Sequence, residues 1–330
     1  MTMAAKTDRV DIISCAGVLP DNTIIITPDK DILTVFSTGT LSDGPRHIWR
    51  AQHQQQISLL MKTSLLNALQ QVGMQVNQLD YVIVSLVWPA TILDEEVSAL
   101  VRETQLRCPV VPVSSGTAGG LTALELAAGL ISQGNYRNIA VIAACSYAHW
   151  FRPDDPATSL LSDGAACMIL ASASGSEIIS SHTISTHDYA PLVAGQINGA
   201  RYVSYPPESG QFIAEHYPET AARCCRSLCE KAAISLADID AFHIYDPTNW
   251  VASASATALG VDRRRIFSIF QQYGSLGPAQ NYFGFMTLIN HRSLSDGDRV
   301  ILLGFGPAAT ATAVLLKVKK VPVSITHQMT

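Results

Sequence analysis

Three stretches of this 330-residue chain place hydroxyls, a carboxylate and glycines at the ends of Ile/Val-rich runs, which is where open parallel sheets hold their ligands. The first, Val113-Ser114-Ser115-Gly116-Thr117-Ala118-Gly119-Gly120, runs directly into the apolar stretch LTALELAAGLI. A nucleophile on a turn at a helix N-terminus feels the positive end of the helix dipole, and backbone N–H groups there can hold an oxyanion. Ser114, Ser115 and Thr117 are therefore candidates; the plainer reading is that these small hydroxyl residues cap the helix. The second, Tyr245-Asp246-Pro247-Thr248-Asn249-Trp250, follows FHIY. A carboxylate ending a buried strand is costly unless it is paired, hydrogen-bonded or exposed to a cavity. The plain alternative is again a cap, ahead of NWVASASATAL. His243 shares a strand face with Tyr245 and reads as a core or interface residue. The third region combines Tyr273-Gly274-Ser275-Leu276-Gly277-Pro278 with Gly304-Phe305-Gly306-Pro307-Ala308-Ala309, glycines at strand ends allowing close backbone approach. No phosphate loop or dinucleotide fingerprint occurs, and the His and Cys residues lack ligand spacing, so neither cofactor nor metal is expected.

The elements that carry these loops occur twice. SLLNALQQVGM, LDYVIVSL, SSGTAGGLTALELAAGLI and NIAVIAAC are matched in order and type by SLCEKAAISL, IDAFHIYD, YGSLGPAQNYFGFMTLI and DRVILLGFG. Asp80 lies 34 positions before Ser114, and Asp240 lies 35 before Ser275. Strands alternating with helices predict parallel βαβ units, and the duplication predicts two pseudo-equivalent halves, residues 1–175 and 176–330, with a site where loops from both converge.

With 48% hydrophobic and 15% charged residues the chain can bury a large core. No apolar run reaches the roughly 18 to 20 residues that cross a bilayer, and MTMAAKTDRVD lacks a signal peptide's apolar region, so a cytoplasmic location away from membranes is expected. Seven scattered cysteines form no CxxC pair or disulfide framework and are expected to be reduced thiols. A net charge of −5 without an aromatic-basic platform gives no reason to expect nucleic acid.

Taken in this order, the loops resemble the thiolase superfamily, most closely its ketoacyl-acyl-carrier-protein synthase III branch. TAGGLTALELAAGLISQGNYRNIAVIAA looks like the segment beginning at that family's catalytic cysteine, and SDGAACMIL like its Gly-Asp-Gly-Ala strand. YDPTNWVASASATALGV resembles its His-Gln-Ala-Asn helix start, YGSLGPAQ its His-Gly-Asn loop, and GFGPAATATAVLL its C-terminal glycine loop. The resemblance implies an α/β thiolase fold, two pseudo-repeated βαβαβ halves in a five-layer αβαβα sandwich. It implies acyl-CoA or acyl-carrier-protein substrates and a homodimer, or a heterodimer with a thiolase-fold homologue, with the loop from Phe151 to Leu161 at the interface.

The same resemblance sets Thr117 at the nucleophilic cysteine, Asp246 at the catalytic histidine and Ser275 at the catalytic asparagine. Asn249 is retained, and Pro307, beside Gly306, falls where an N–H of the oxyanion hole is expected, although the chalcone-synthase branch also carries Gly-Phe-Gly-Pro. A threonine hydroxyl needs an adjacent base where a thiolate does not, and an ionised Asp246 would repel an enolate. Decarboxylative condensation is therefore not expected. Two readings follow: an acyltransferase with altered chemistry, Asp246 acting as general base on Thr117 or on the acceptor, with Ser115 supporting; or a silent subunit dimerising with an active homologue. Arg263, Arg264 and Arg265, with Arg223 and Arg226, are the densest cationic cluster for docking a carrier or CoA, the plainer reading being a solvated face. Val251 stands where the family has a docking arginine.

Overall fold

A computed structural model describes residues 9–26, 47–52, 55–87, 95–147, 150–151, 155–185, 193–197, 200–204, 207–248, 250–290, 294–306 and 310–328. The first half contains β1 (Asp11–Pro20), β2 (Thr23–Ile25), β3 (His47–Trp49), α1 (Gln55–Gln71), β4 (Tyr81–Val87), α2 (Glu95–Thr104), β5 (Val110–Pro112), α3 (Gly119–Ser132), β6 (Asn138–Cys145) and β7 (Gly164–Ala171). It is followed by β8 (Ser176–Ser185), β9 (Val193–Ile197), β10 (Ala200–Ser204), α4 (Pro207–Lys231), β11 (Ala241–Ile244), α5 (Val251–Leu259), α6 (Phe270–Tyr273), α7 (Gln280–Asn290), β12 (Arg299–Gly306), β13 (Thr310–Lys317) and β14 (Val323–Gln328).

The duplication read from the sequence is present in the strand order. The first half runs β5-β4-β6-β7-β1; the second runs β11-β12-β13-β8, with Ile266 bridging to Phe242 outside β11 where β5 lies beside β4. The helix–strand joints repeat in detail. A short 3-10 turn closed by a capping box precedes β4 and another precedes β11, at residues 76–78 and 236–238. Asp80 then accepts the N–H groups of Arg137 and Asn138, as Asp240 accepts that of Arg299, pinning each entering strand to its parallel neighbour. The two sheets are continuous through a short antiparallel pairing of β1 with β8, at Asp11–Glu177 and Ile12–Ser176, and β14 returns to lie parallel to β1.

Side-chain alternation along the strands builds the layers, because successive residues face opposite sides of a sheet. Val82 and Val84 of β4 pack with Ile57, Leu60 and Leu65 of α1 and with Leu100 of α2. Ile83, between them, faces the other way, towards Leu121 and Leu124 of α3 and Phe283 and Met286 of α7. The far side of that middle layer is Val300, Leu302 and Val314. Ile301, Leu303 and Ala313 point outward again, onto Ala221, Cys225 and Leu228 of α4 and Ala252 and Leu259 of α5. The result is the expected αβαβα sandwich, with α3 and α7 between the sheets. The loops lead into helices as expected: α3 opens at Gly119, two residues ahead of LTALELAAGLI, and α7 opens at Gln280, after the loop at residues 273–278.

In the middle layer, Tyr282 Oη donates to the Gly120 carbonyl over 2.9 Å. A Cβ built on Gly120 would come within 2.5 Å of the Pro278 carbonyl oxygen. Gly120→Ala is expected to cost about 1–3 kcal/mol of stability through overpacking, seen as a lower urea midpoint at unchanged slope. An unchanged midpoint would show that α3 and the turn before α7 do not meet this closely.

Candidate active site

The site starts from the end of β11. The strand carries Phe242 and Ile244 into the outer core, and the chain then turns with Asp246 fully buried. The Asp246 carboxyl accepts hydrogen bonds from Ser268 Oγ and from Gln280 Nε2. Gln280, the first residue of α7, also donates to the Asp246 carbonyl over 3.0 Å and accepts from the Leu276 N–H over 3.2 Å. One glutamine thus ties the end of β11 to the turn that opens α7. Burial raises the Asp246 pKa from 3.8 to about 8; the bonds from Ser268 and Gln280 and the charge of Arg263 pull less strongly the other way. Asp246 is therefore mostly protonated at neutral pH. Desolvation outweighs the hydrogen bonds of Asp246, and the helix-cap reading gives way, because α5 begins behind Trp250 with no side-chain cap.

The other two loops close on the same seam between the halves. Thr117 sits in a 3-10 turn, Gly116–Ala118, that leads into α3, and its hydroxyl donates to the Phe305 carbonyl on β12. Ser115 Oγ lies 3.4 Å from Thr310 Oγ1 of β13, and a Cβ on Gly306 would come 3.0 Å from the Ser115 carbonyl. Neither Ser115 nor Thr117 caps α3, whose N-cap is Ala118, so the capping reading of these two hydroxyls gives way to contacts across the seam. Ser275 is fully buried, with Oγ 2.7 Å from Tyr245 Oη. Its N–H donates to Leu160 over 2.7 Å and its carbonyl accepts from the Ser162 N–H over 2.8 Å, which joins it to the segment ahead of β7. Among the described residues no hydrogen bond links Thr117 to Asp246; the two sites of interest are brought to one seam without forming a nucleophile–base pair. Asn249 and Pro307 lie outside the described residues.

The cationic cluster is largely exposed and also makes local bonds. Arg263 donates to Ser253 Oγ over 3.1 Å and to the Ile266 carbonyl over 2.6 Å, and Arg264 pairs with Asp262 at 2.5 Å. Arg265 donates to the carbonyls of Leu236 and Ile239 and lies 5.6 Å over the Phe242 ring. Arg223 and Arg226 bond the carbonyls of Ser185 and Ala258. All seven cysteines are free and have thiol pKa values raised by burial, so none offers a ready thiolate. His243 is a buried core residue whose pKa falls to about 4 with burial, its Nδ1 3.0 Å from the Phe267 carbonyl. The sequence reading missed Ser268, Gln280 and the Phe305 carbonyl. The available signal was the polar pair Gln280-Asn281 at the head of the otherwise apolar YFGFMTLI.

A chain with this sandwich and this seam of loops falls in the thiolase class. Residues 112–187 match the family model of 3-oxoacyl-[acyl-carrier-protein (ACP)] synthase III, and residues 229–318 match that of its C-terminal part, together half of the chain. A β-ketoacyl-[acyl-carrier-protein] synthase III of Neisseria meningitidis serogroup A is 23% identical over 282 residues, 82% of this chain and 87% of that protein. The crystal structure of the 3-oxoacyl-[acyl-carrier-protein] synthase III of Aquifex aeolicus superposes with a TM-score of 0.80 at 19% identity, covering 93% of this chain and 99% of that one. Xanthomonas campestris OleA, solved with bound lauric acid and lauroyl-CoA, gives a TM-score of 0.79 at 16% identity over 94% of this chain and 99% of that one. The chain belongs to the ketoacyl-acyl-carrier-protein synthase III-like branch of the thiolase superfamily.

The buried carboxyl makes stability depend on pH in a defined direction. Between its unfolded value of 3.8 and its folded value of about 8 the native protein holds a proton that the unfolded chain has lost. Raising the pH through that window therefore destabilises the fold by up to about 1.4 kcal/mol per unit from this group. Asp246→Asn, which resembles the neutral acid, removes that contribution. Its stability relative to the parent is expected to improve steadily from pH 4 to 8 in paired urea titrations. A difference independent of pH would show that Asp246 ionises normally.

Proposed function

We propose that this protein passes an acyl group from an acyl-CoA or acyl-carrier-protein thioester directly to an oxygen or nitrogen acceptor, without decarboxylative condensation. The observation that carries this reading is Asp246: a fully buried carboxyl whose pKa of about 8 suits a general base near neutral pH. Thr117, which the resemblance sets at the family's cysteine, has its hydroxyl committed to the Phe305 carbonyl, and no base is bonded to it among the described residues. No cysteine thiol is poised to replace it. The direct route is therefore favoured over one through an acylated Thr117. Ser275, at the position of the catalytic asparagine, has its hydroxyl paired with Tyr245, which leaves an enolate less well supported.

In the direct route the acceptor's oxygen or nitrogen attacks the thioester carbonyl while ionised Asp246 takes its proton. The tetrahedral intermediate then collapses as the C–S bond breaks, and the departing thiolate takes that proton from Asp246. Ser268 and Gln280 hold the carboxyl in place in both states. The family's dimer is proposed as well, formed through the exposed edge strand β5, where Val111 is 37% exposed.

Acyl transfer, followed as CoA thiol released from acetyl- or lauroyl-CoA with water or a simple alcohol or amine as acceptor, is expected to rise with pH to an inflection near 8. Asp246→Asn is expected to lower kcat/KM by about 10²- to 10⁴-fold, and Thr117→Ala much less. Full activity of Asp246→Asn would sink this reading, and a silent protein with both thioesters, alone and beside a thiolase-fold partner, would leave a non-catalytic subunit instead.

A further inference from the structure

Asn281, the second residue of α7, is fully buried, and neither its Oδ1 nor its Nδ2 has a hydrogen-bond partner among the described residues. Buried carboxamides are nearly always bonded, since an unmet donor or acceptor loses its water without recompense. Its successors Tyr282, Phe283 and Phe285 belong to the apolar middle layer, where an aliphatic side chain would sit at lower cost. The amide also has a definite place. A Cβ built on Gly304 would lie 2.9 Å from Ala118 Cα, 3.2 Å from the Thr117 carbonyl oxygen and 3.2 Å from Asn281 Nδ2. The carboxamide and the turn that opens α3 thus border the same space over Gly304, and α3, a helix of 14 residues, carries no side-chain cap at its N-terminal end.

We propose that Asn281 is a catalytic residue whose Nδ2 donates to the carbonyl oxygen of the bound thioester at the N-terminal end of α3. This rests on the acyl-thioester reading of the site and adds a residue to it. The carboxamide supplies two directed N–H donors beside the positive end of a helix dipole. Both strengthen as the carbonyl oxygen gains charge in the tetrahedral intermediate, in a setting that excludes water. Asp246 handles the acceptor's proton while Asn281 handles the oxygen, so the two act on different atoms of one reaction.

The test uses Asp246→Asn protein, in which turnover is slowed, and measures binding of two probes by calorimetry. One is lauroyl-CoA; the other is S-dodecyl-CoA, a thioether of matching length without the carbonyl. Adding Asn281→Leu is expected to weaken lauroyl-CoA binding about tenfold and to leave S-dodecyl-CoA unchanged. In the parent with Asp246 intact, Asn281→Leu is expected to lower kcat about 10²- to 10³-fold without lowering Tm, since an unpaired amide leaves the core. Equal weakening for both probes would mean that leucine merely reshapes the pocket and would overturn the assignment. A fall in Tm would also overturn it, showing that the amide is satisfied within the fold by the chain or by an ordered water. Failure of either probe to bind any of these proteins would instead remove the acyl-thioester reading itself.

Discussion

The cost of holding a carboxyl out of water at the end of β11 shapes the rest of the site. A fully buried Asp246 with no salt-bridge partner among the described residues stays neutral until about pH 8, and its neutrality is what makes its burial tolerable. Both oxygens must still be met. Ser268 supplies one partner from the segment after the bridge at Ile266, and Gln280 supplies the other from the first turn of α7. That helix has to come close to β11 for Gln280 to reach. It does so at Gly284, where a Cβ would stand 2.2 Å from the His243 ring. His243 therefore contributes by packing, as the flat face against which α7 is laid.

The second dependence is between the halves. The N-terminal turn of α3 belongs to the first half, yet Thr117 is bonded to the Phe305 carbonyl of the second and Gly120 to Tyr282. Further along α3, Thr122 lies 3.2 Å from Thr312, which lies 3.0 Å from Thr183, whose hydroxyl reaches Glu125 over 2.7 Å. On the other flank Ser162 Oγ donates to the Tyr273 carbonyl over 2.6 Å. These bonds cross a seam that is otherwise a packed apolar layer, and they fix the register in which the three loops meet. A site split between two halves in this way exists only when both are folded and docked.

The fold was legible because duplication leaves a strong trace. Two aspartates, Asp80 and Asp240, stand at equivalent strand entries, and the structure gives both the same task of binding the first N–H groups of a neighbouring strand. The Ile/Val-rich runs in YVIVSLV and RVILLGFG identified strands, and both are buried along nearly their whole length. The candidate loops were legible for a related reason, since strand-end loops rich in hydroxyls and glycines are visible locally, and the structure brings them to one seam. The roles were not, because they are set across the seam. Nothing near Thr117 in sequence announces that its hydroxyl is taken by residue 305. Nothing near Asp246 announces Gln280, 34 positions away. Protonation of Asp246 is a property of burial, which the sequence around a strand-end aspartate leaves open between a cap and a core carboxyl.

Burial keeps Asp246 a neutral carboxyl at physiological pH, and the base proposed for it needs that proton to leave near pH 8. The direct measurement is the pH titration of its side-chain carboxyl carbon by NMR, using aspartate labelled with ¹³C at Cγ and Asp246→Asn to assign the resonance. One aspartate resonance is expected to keep the chemical shift of the protonated acid through pH 6 and to titrate with a midpoint near 8. A midpoint near 4 for that resonance, with the ionised shift already reached at neutral pH, would contradict it.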